Sequence, residues 1–386
     1  MKKSSLSVLA VISMLFSLWA LPAHGAQAPA VSASAAVLME AESGRLLFSR
    51  NEREQLPMAS TTKIMTALLT LEQPDREVTI TEEMVRVEGS SMGLRAGDRL
   101  TLHGLAAGML AASGNDAANA AAILIDGSLS AFAERMNRRA QELGLADTHF
   151  VTPSGLDSEG HYSTARDMAL LARAALENED FQNLADQAQV SVSFLEPEGV
   201  RYYSNHNKLL GTLEGCIGGK TGYTKKAGRC LVSAAQRDGV RLIAVTLNDP
   251  DDWRDHEALM EYGFSLLERY ESSSAPWEGA AAVVGGTAET VSVSAQGQAN
   301  FLVPSGRASE VQRLVELPRF LYAPVKAGEP VGAVSYRLDG EELARIPLLA
   351  GADVPLQERE KGLWERLADF FIWAERRLEQ YILRDL

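Results

Sequence analysis

Pro57-Met58-Ala59-Ser60-Thr61-Thr62-Lys63-Ile64-Met65-Thr66-Ala67-Leu68-Leu69 is a small-residue lead-in running into an unbroken helical pattern. Pro57 disfavours helix at the residue before it. Ile64, Ala67 and Leu68 recur at three- and four-residue steps, so a helix is expected to begin close to Ser60. Ser60 and Lys63 then share one helix face, with the ammonium within hydrogen-bond reach of the hydroxyl. A serine hydroxyl is a weak nucleophile until a neighbouring base takes its proton. Lysine serves as that base only if desolvation or nearby positive charge lowers its pKa. The helix start adds N–H groups and a positive dipole end, which favour negative charge developing on Ser60 or on an attacked carbonyl. Alone, a serine three residues before a lysine more often marks only a cap beside a solvated charge.

Two later triplets change that reading: Ser113-Gly114-Asn115, and Lys220-Thr221-Gly222 followed by Tyr223. In this order the trio resembles that of the penicillin-binding proteins and class A β-lactamases. The neighbouring strings Ser113-Gly114-Asn115-Asp116-Ala117-Ala118-Asn119, Gly160-His161-Tyr162-Ser163-Thr164-Ala165-Arg166-Asp167-Met168 and Gly219-Lys220-Thr221-Gly222-Tyr223-Thr224-Lys225-Lys226-Ala227-Gly228 narrow it. They resemble the serine-type D-alanyl-D-alanine carboxypeptidases, the low-molecular-mass penicillin-binding proteins of peptidase family S11 related to penicillin-binding protein 5. The resemblance runs from about Ala35 to Leu267 and, more loosely, to the C-terminus.

The resemblance implies an α+β, transpeptidase/β-lactamase-like domain, an antiparallel sheet with a helical subdomain. Periodicity agrees in outline. Ala36–Glu40 and Arg45–Ser49 read as a hairpin. The region from Leu56 to Leu176 reads as mostly helical (Ile64–Leu71, Leu105–Ile125 broken at Ser113-Gly114-Asn115, Leu129–Leu143, Ala165–Leu176). Val190–Phe194, Val200–Tyr203, Gly215–Tyr223, Arg229–Gln236 and Leu242–Leu247 read as strands, and Glu257–Tyr270 as a helix. If the segments flanking Tyr223 to Gly228 pair, Lys220 rather than Cys216 falls opposite the Cys230 region, so these two cysteines are expected as free thiols.

Carried over residue by residue, the resemblance implies a Ser60 nucleophile that forms an acyl-enzyme and releases D-alanine, with Lys63 as its base. Ser113 shuttles a proton to the leaving amine, and Asn115 holds a substrate amide and braces Lys63. Lys220 and Thr221 meet the substrate carboxylate, and Gly222 lets the substrate backbone approach. The backbone N–H groups of Ser60 and Tyr223 form the oxyanion hole. His161 is assigned to structure around the site. His206, in Asn205-His206-Asn207, stands where the resemblance leads one to expect arginine, which weakens the case for a carboxylate contact from this loop. The implied partners are peptidoglycan pentapeptide stems, with β-lactams as covalent inhibitors.

Composition sets the outer bounds. The 386 residues are 46% hydrophobic and 23% charged, enough for two domains with real cores. A net charge of -14 argues against nucleic acid. Six histidines without ligand spacing suggest neither a metal nor another cofactor. Met1–Ala26 reads as a secretory signal, with Lys2 and Lys3, an apolar run from Leu6 to Leu21, and small residues before a cut near Gln27. The competing single-span anchor is disfavoured because that run is shorter than the ~20 residues a span needs. Export to the outer face of the cell membrane follows.

The domains are expected as 27–273 (peptidase), 277–357 (a small all-β domain, from alternation at Val291, Val293 and Ala295) and a terminal helix over 359–386. Leu363, Leu367, Phe370, Ala374, Leu378, Tyr381 and Ile382 make an apolar stripe on that helix, with mixed charges opposite. Peripheral attachment to the membrane is the expected role, and packing on the β domain or on a second copy is the alternative. A class A β-lactamase would need a glutamate to activate the deacylating water, and no matching segment lies between Asn115 and Lys220. A D,D-endopeptidase acting on cross-links, or an idle wall-binding or β-lactam-sensing module, are the other readings.

Overall fold

The computed structural model describes residues 27–272, 276–358 and 362–382, so the expected signal segment lies outside the described residues. Up to Arg269, with Leu302–Ala308, these form one compact unit, and Tyr270–Phe301 and the residues from Ser309 onward form another.

In the first unit, β1 (Ala35–Glu40) and β2 (Leu46–Arg50) make the expected hairpin. Two three-residue strands, β3 (Glu77–Thr79) and β4 (Arg99–Thr101), follow within the stretch that periodicity assigned to helix. They are too short to show a period of two. With β5 (Gln189–Glu196) and β6 (Glu198–Ser204) they build a four-stranded side sheet. The main sheet adds β7 (Cys216–Thr224), β8 (Gly228–Arg237) and β9 (Val240–Leu247), in the antiparallel order β2-β1-β9-β8-β7, so β7 is an edge. Both faces are covered. Ala35, Val37, Met39, Val232, Ile243 and Val245 point into one core, and their neighbours Ala36, Leu38, Leu231, Leu242 and Ala244 point into a second. Burial on both sides is why these strands read as nearly continuous apolar runs.

The helices are α1 (Lys63–Leu71), α2 (Glu82–Val85), α3 (Leu102–Ala111), α4 (Asn115–Asp126), α5 (Leu129–Glu142), α6 (Ala165–Leu176), α7 (Glu179–Ala185), α8 (Leu209–Thr212) and α9 (Asp252–Leu266). α9 starts and stops earlier than Glu257–Tyr270. Asp252 and Asp255 in its first turn suit the positive helix end. The chain then leaves as strand β10 (Leu267–Glu271). The helix at Ser60 is also corrected: a 3-10 turn, Ala59–Thr62, precedes α1. Opposite Cys230 stands Gly222, not Lys220, and Cys216 pairs with Ala235; both thiols are free.

The second unit is built of strands apart from the end of a 3-10 turn (Ala308–Glu310) and its last element. β11 (Glu278–Val284), β12 (Thr290–Ala295), β14 (Gln312–Glu316), β15 (Phe320–Tyr322), β16 (Pro330–Leu338) and β17 (Glu341–Ala350) form a six-stranded sheet in the order β14-β16-β17-β12-β11-β15, while β13 (Asn300–Pro304) pairs instead with β10. Val291 and Val293 are buried as their alternation requires, and Tyr270, Phe301 and Tyr336 cluster ring against ring. α10 (Leu363–Ile382) follows; Trp364, Phe370, Phe371 and Trp373 are all exposed.

Candidate active site

Ser60 sits on the 3-10 turn because Ala59 takes a left-handed backbone (φ 47°) that breaks the line of approach from Pro57. A second loop holds this turn from behind. A Cβ on Gly155 would stand 1.9 Å from the Ala59 carbonyl oxygen, so only glycine lets the loop press this closely. His161 adds a clamp. Its Nδ1 accepts the Val151 N–H at 2.9 Å, which assigns the proton to Nε2, 2.9 Å from Thr62 Oγ1; that hydroxyl in turn donates to Ala59 O at 2.8 Å. Burial pushes the His161 pKa down to about 4, so the ring stays neutral and structural, as expected.

Lys63 opens α1 and is fully buried. Its Nζ lies 3.0 Å from Ser60 Oγ, 2.7 Å from Asn115 Oδ1 and 2.6 Å from the Ser154 carbonyl oxygen. The two carbonyl oxygens can only accept, so two N–H bonds are committed to them. On a neutral amine, what remains is a lone pair facing the Ser60 hydroxyl. Burial first, and the positive Lys220 second, hold the Lys63 pKa well below 10.5, against an opposing pull from Asp116. The geometry and the electrostatics both favour a base.

Asn115 starts α4 and is braced in turn: its Nδ2 donates to Glu88 O at 2.7 Å and its backbone N–H to Ser90 O at 2.7 Å. Asp116, 2% exposed, takes Ser91 Oγ at 2.6 Å and the N–H groups of Met92, Gly93 and Leu94 at 3.0 Å each. That carboxylate ties the 88–94 loop to the start of α4. Ser113, held in a left-handed conformation (φ 56°), turns its hydroxyl to Lys220 Nζ at 3.0 Å. Lys220, 1% exposed, also donates to Thr221 O at 2.8 Å, and burial lowers its pKa to about 7.

The edge strand completes the site. Asp249 N donates to Arg229 O at 2.9 Å, so Arg229 directs its backbone groups towards β9. Its opposite residue, Tyr223, therefore turns its own N–H to the open edge of β7. A Cβ on Gly222 would lie 2.9 Å from Ser60 N, which brings the two expected oxyanion donors side by side. Ser60, Ser113, Thr221, Gly222 and Tyr223 line one cleft of about 290 Å³. His206 lines it too, and burial and Lys220 depress its pKa below 6.5. All eight expected residues are thus brought to one place. The Ser154 carbonyl, Asp116, Gly155 and Arg229 were not assigned from sequence.

The residue pattern of the D-alanyl-D-alanine carboxypeptidases matches residues 23–251. The chain belongs to the D-alanyl-D-alanine carboxypeptidase family. The C-terminal domain of penicillin-binding protein 5 matches residues 268–356. Among relatives, this carboxypeptidase is 32% identical over 354 residues to D-alanyl-D-alanine carboxypeptidase DacF of Bacillus subtilis (strain 168), covering 86% of this chain and 90% of that one. It is 32% identical to DacC of Escherichia coli (strain K12), over 89% of this chain and 88% of the relative. The crystal structure of penicillin-binding protein 5 from Haemophilus influenzae superposes with a TM-score of 0.66 at 31% identity, covering 86% of this carboxypeptidase and 100% of that chain. The α+β peptidase domain and the all-β domain after it are those of the family.

Proposed function

We propose that this carboxypeptidase removes the terminal D-alanine from peptidoglycan stem peptides through an acyl-enzyme on Ser60. Neutral Lys63 takes the Ser60 proton as Oγ bonds to the penultimate D-Ala carbonyl carbon. The oxyanion so formed lies against the N–H groups of Ser60 and Tyr223. The C–N bond then breaks, the leaving amine takes a proton through Ser113, and D-alanine departs. Water hydrolyses the ester, returning the proton to Ser60 and freeing the shortened stem. A β-lactam would enter by the same attack and stay as the ester. The observation that carries this reading is Lys63 Nζ, 3.0 Å from Ser60 Oγ, with its other bonds spent on two carbonyl acceptors.

Incubation with penicillin should add one acyl group, mapped by mass spectrometry to the Ser60 peptide. Ser60→Ala should abolish it, and Lys63→Arg, which keeps charge but cannot act as a base, should lose acylation as well. Labelling elsewhere, or near-normal acylation of the arginine variant, sinks the assignment. Digestion of monomeric against cross-linked muropeptides separates carboxypeptidase from endopeptidase action. The chain is read as exported, with Met1–Ala26 removed, and as held on the outer face of the membrane by the apolar side of α10. What supports the attachment is exposure: Trp364 is 82% and Phe371 67% accessible. Among the described residues no helix is long and apolar enough to cross a membrane, so the helix would lie flat in the interface.

A further inference from the structure

The six-stranded sheet of the second unit ends in an edge strand, β15, that carries exposed aromatic rings. β15 pairs in parallel with β11, with Phe320 beside Ala282, Leu321 beside Val283 and Tyr322 beside Val284. Side chains alternate along a strand, so Leu321 and the buried Val283 turn to the core, while Phe320, Tyr322, Ala282 and Val284 stand exposed on the outer face. The rings of Phe320 and Tyr322 meet edge to face at 5.4 Å, and Tyr322 is 72% exposed. Leu356, also exposed, adjoins them: a Cβ on Gly285 would lie 3.9 Å from its Cδ1. Outside α10, this unit exposes six large apolar side chains among the described residues, and four of them gather here. The other two, Leu314 and Val315, are on β14 at the far edge of the sheet.

What covers this face follows from its chemistry and its place. β15 is three residues long and lies between Pro318 and Pro324, neither of which has an N–H to give, so the edge is blunted against an added strand. Arg319 and Lys326 flank it, both exposed, and Leu317 to Gly328 contain no acid although the whole chain carries a net charge of -14. The carboxylates that close this stretch, Glu329 and Asp353, accept the backbone N–H groups of Lys326 and Ala327. Aromatic rings between cations are the set that settles at a membrane–water interface, rings at the headgroup level and cations against anionic lipid. The place agrees. Gln357 donates its N–H to Gly285 O at 2.8 Å, and α10 starts six residues later at Leu363. Six residues reach about 22 Å at most, so a patch rooted at Gly285 stays within that distance of the helix start.

We propose that the β15 edge is a second membrane-contact surface: Phe320, Tyr322, Val284 and Leu356 enter the interface of an anionic lipid layer, and Arg319 and Lys326 meet its phosphates. The inference rests on α10 lying in that interface. Two points of contact, one on the helix and one on the sheet edge, would keep the β domain from turning about the linker between them.

The test uses the mature full-length chain with vesicles of phosphatidylethanolamine and phosphatidylglycerol that carry a nitroxide quencher at headgroup depth. A thiol-reactive fluorophore is placed by Tyr322→Cys, or by Leu314→Cys as the far-edge control, in a Cys216→Ser background; Cys230 is fully buried. The fluorophore at position 322 should be quenched several-fold more than the one at position 314. Separately, Phe320→Ser combined with Tyr322→Ser should weaken partitioning of the unlabelled chain by about 10- to 30-fold, the range for two partly buried rings that no longer leave water. Equal quenching at the two positions overturns the proposal, and so does a double variant that partitions like wild type. Shielding of the 322 fluorophore without lipid, as protein concentration rises, would assign the face to a second copy and overturn it too. A wild-type chain that does not bind the vesicles at all would instead overturn the α10 reading itself, before any variant is considered.

Discussion

Asp116→Asn removes half of one carboxylate, yet its effect should reach Lys63. In the native site Oδ1 receives the N–H groups of Met92 and Ala117, and Oδ2 receives Gly93, Leu94 and the Ser91 hydroxyl. An asparagine must turn its NH₂ to one of these two groups. Facing the Oδ2 partners, it orphans the Leu94 N–H and opposes the Gly93 N–H, which keeps only Ser91 Oγ at 2.8 Å. Facing the Oδ1 partners, it orphans both Met92 and Ala117. Each buried donor left without a partner costs about 1–3 kcal/mol, so the variant should lose ~2–4 kcal/mol. That is a large part of a domain stability of about 5–15 kcal/mol. The freed 88–94 loop is also what supplies Glu88 O and Ser90 O to Asn115, so Lys63 loses a well-placed acceptor. Urea denaturation gives the stability, and the penicillin acylation rate of the folded protein gives the second effect. A loss below about 1 kcal/mol together with wild-type acylation would refute the argument that this carboxylate anchors the loop and, through Asn115, the base.

Turnover of a D-Ala-D-Ala peptide should follow a bell in kcat/KM: rising as Lys63 loses its proton at a pKa well below 10.5, and falling as Lys220 loses the proton that Ser113 relays, near pH 7. Lys220→Gln should erase the alkaline limb. It should also move the acid limb to higher pH, because the positive Lys220 helps keep Lys63 deprotonated; an acid limb that stays put would reject the coupling. For α10, liposome flotation should carry the mature full-length chain with lipid even in high salt. A chain ending near Glu358 should stay in solution and still release D-alanine. If both stay in solution the attachment idea fails, and packing of the helix on a second copy takes its place.

What could be read in the sequence was whatever a short stretch fixes by itself. Ser60 and Lys63 are three residues apart, so local geometry alone brings them together, and the two further triplets name the edge strand and the turn that must close on them. The main-sheet strands were legible because Val232, Ile243 and Leu242 feed cores on both faces and leave long apolar runs. The residues that tune the site were not legible, because each acts through something other than its own pattern. Ser154 contributes a backbone carbonyl, which every residue has. Gly155 matters only because the Ala59 carbonyl lies where its Cβ would be. Arg229 reaches the cleft through register: one step along β8 would send its side chain to the opposite face, away from Thr221 and into the core that takes Cys230 and Val232. The same reasoning explains the missed strands β3 and β4. Three residues carry no period, and they are strands only because β5 lies beside β4 at Arg99 and Leu100, and β4 in turn lies beside β3. Sequence thus declares the groups expected to react, whereas the groups that set their pKa and their spacing are defined by what folding brings alongside them.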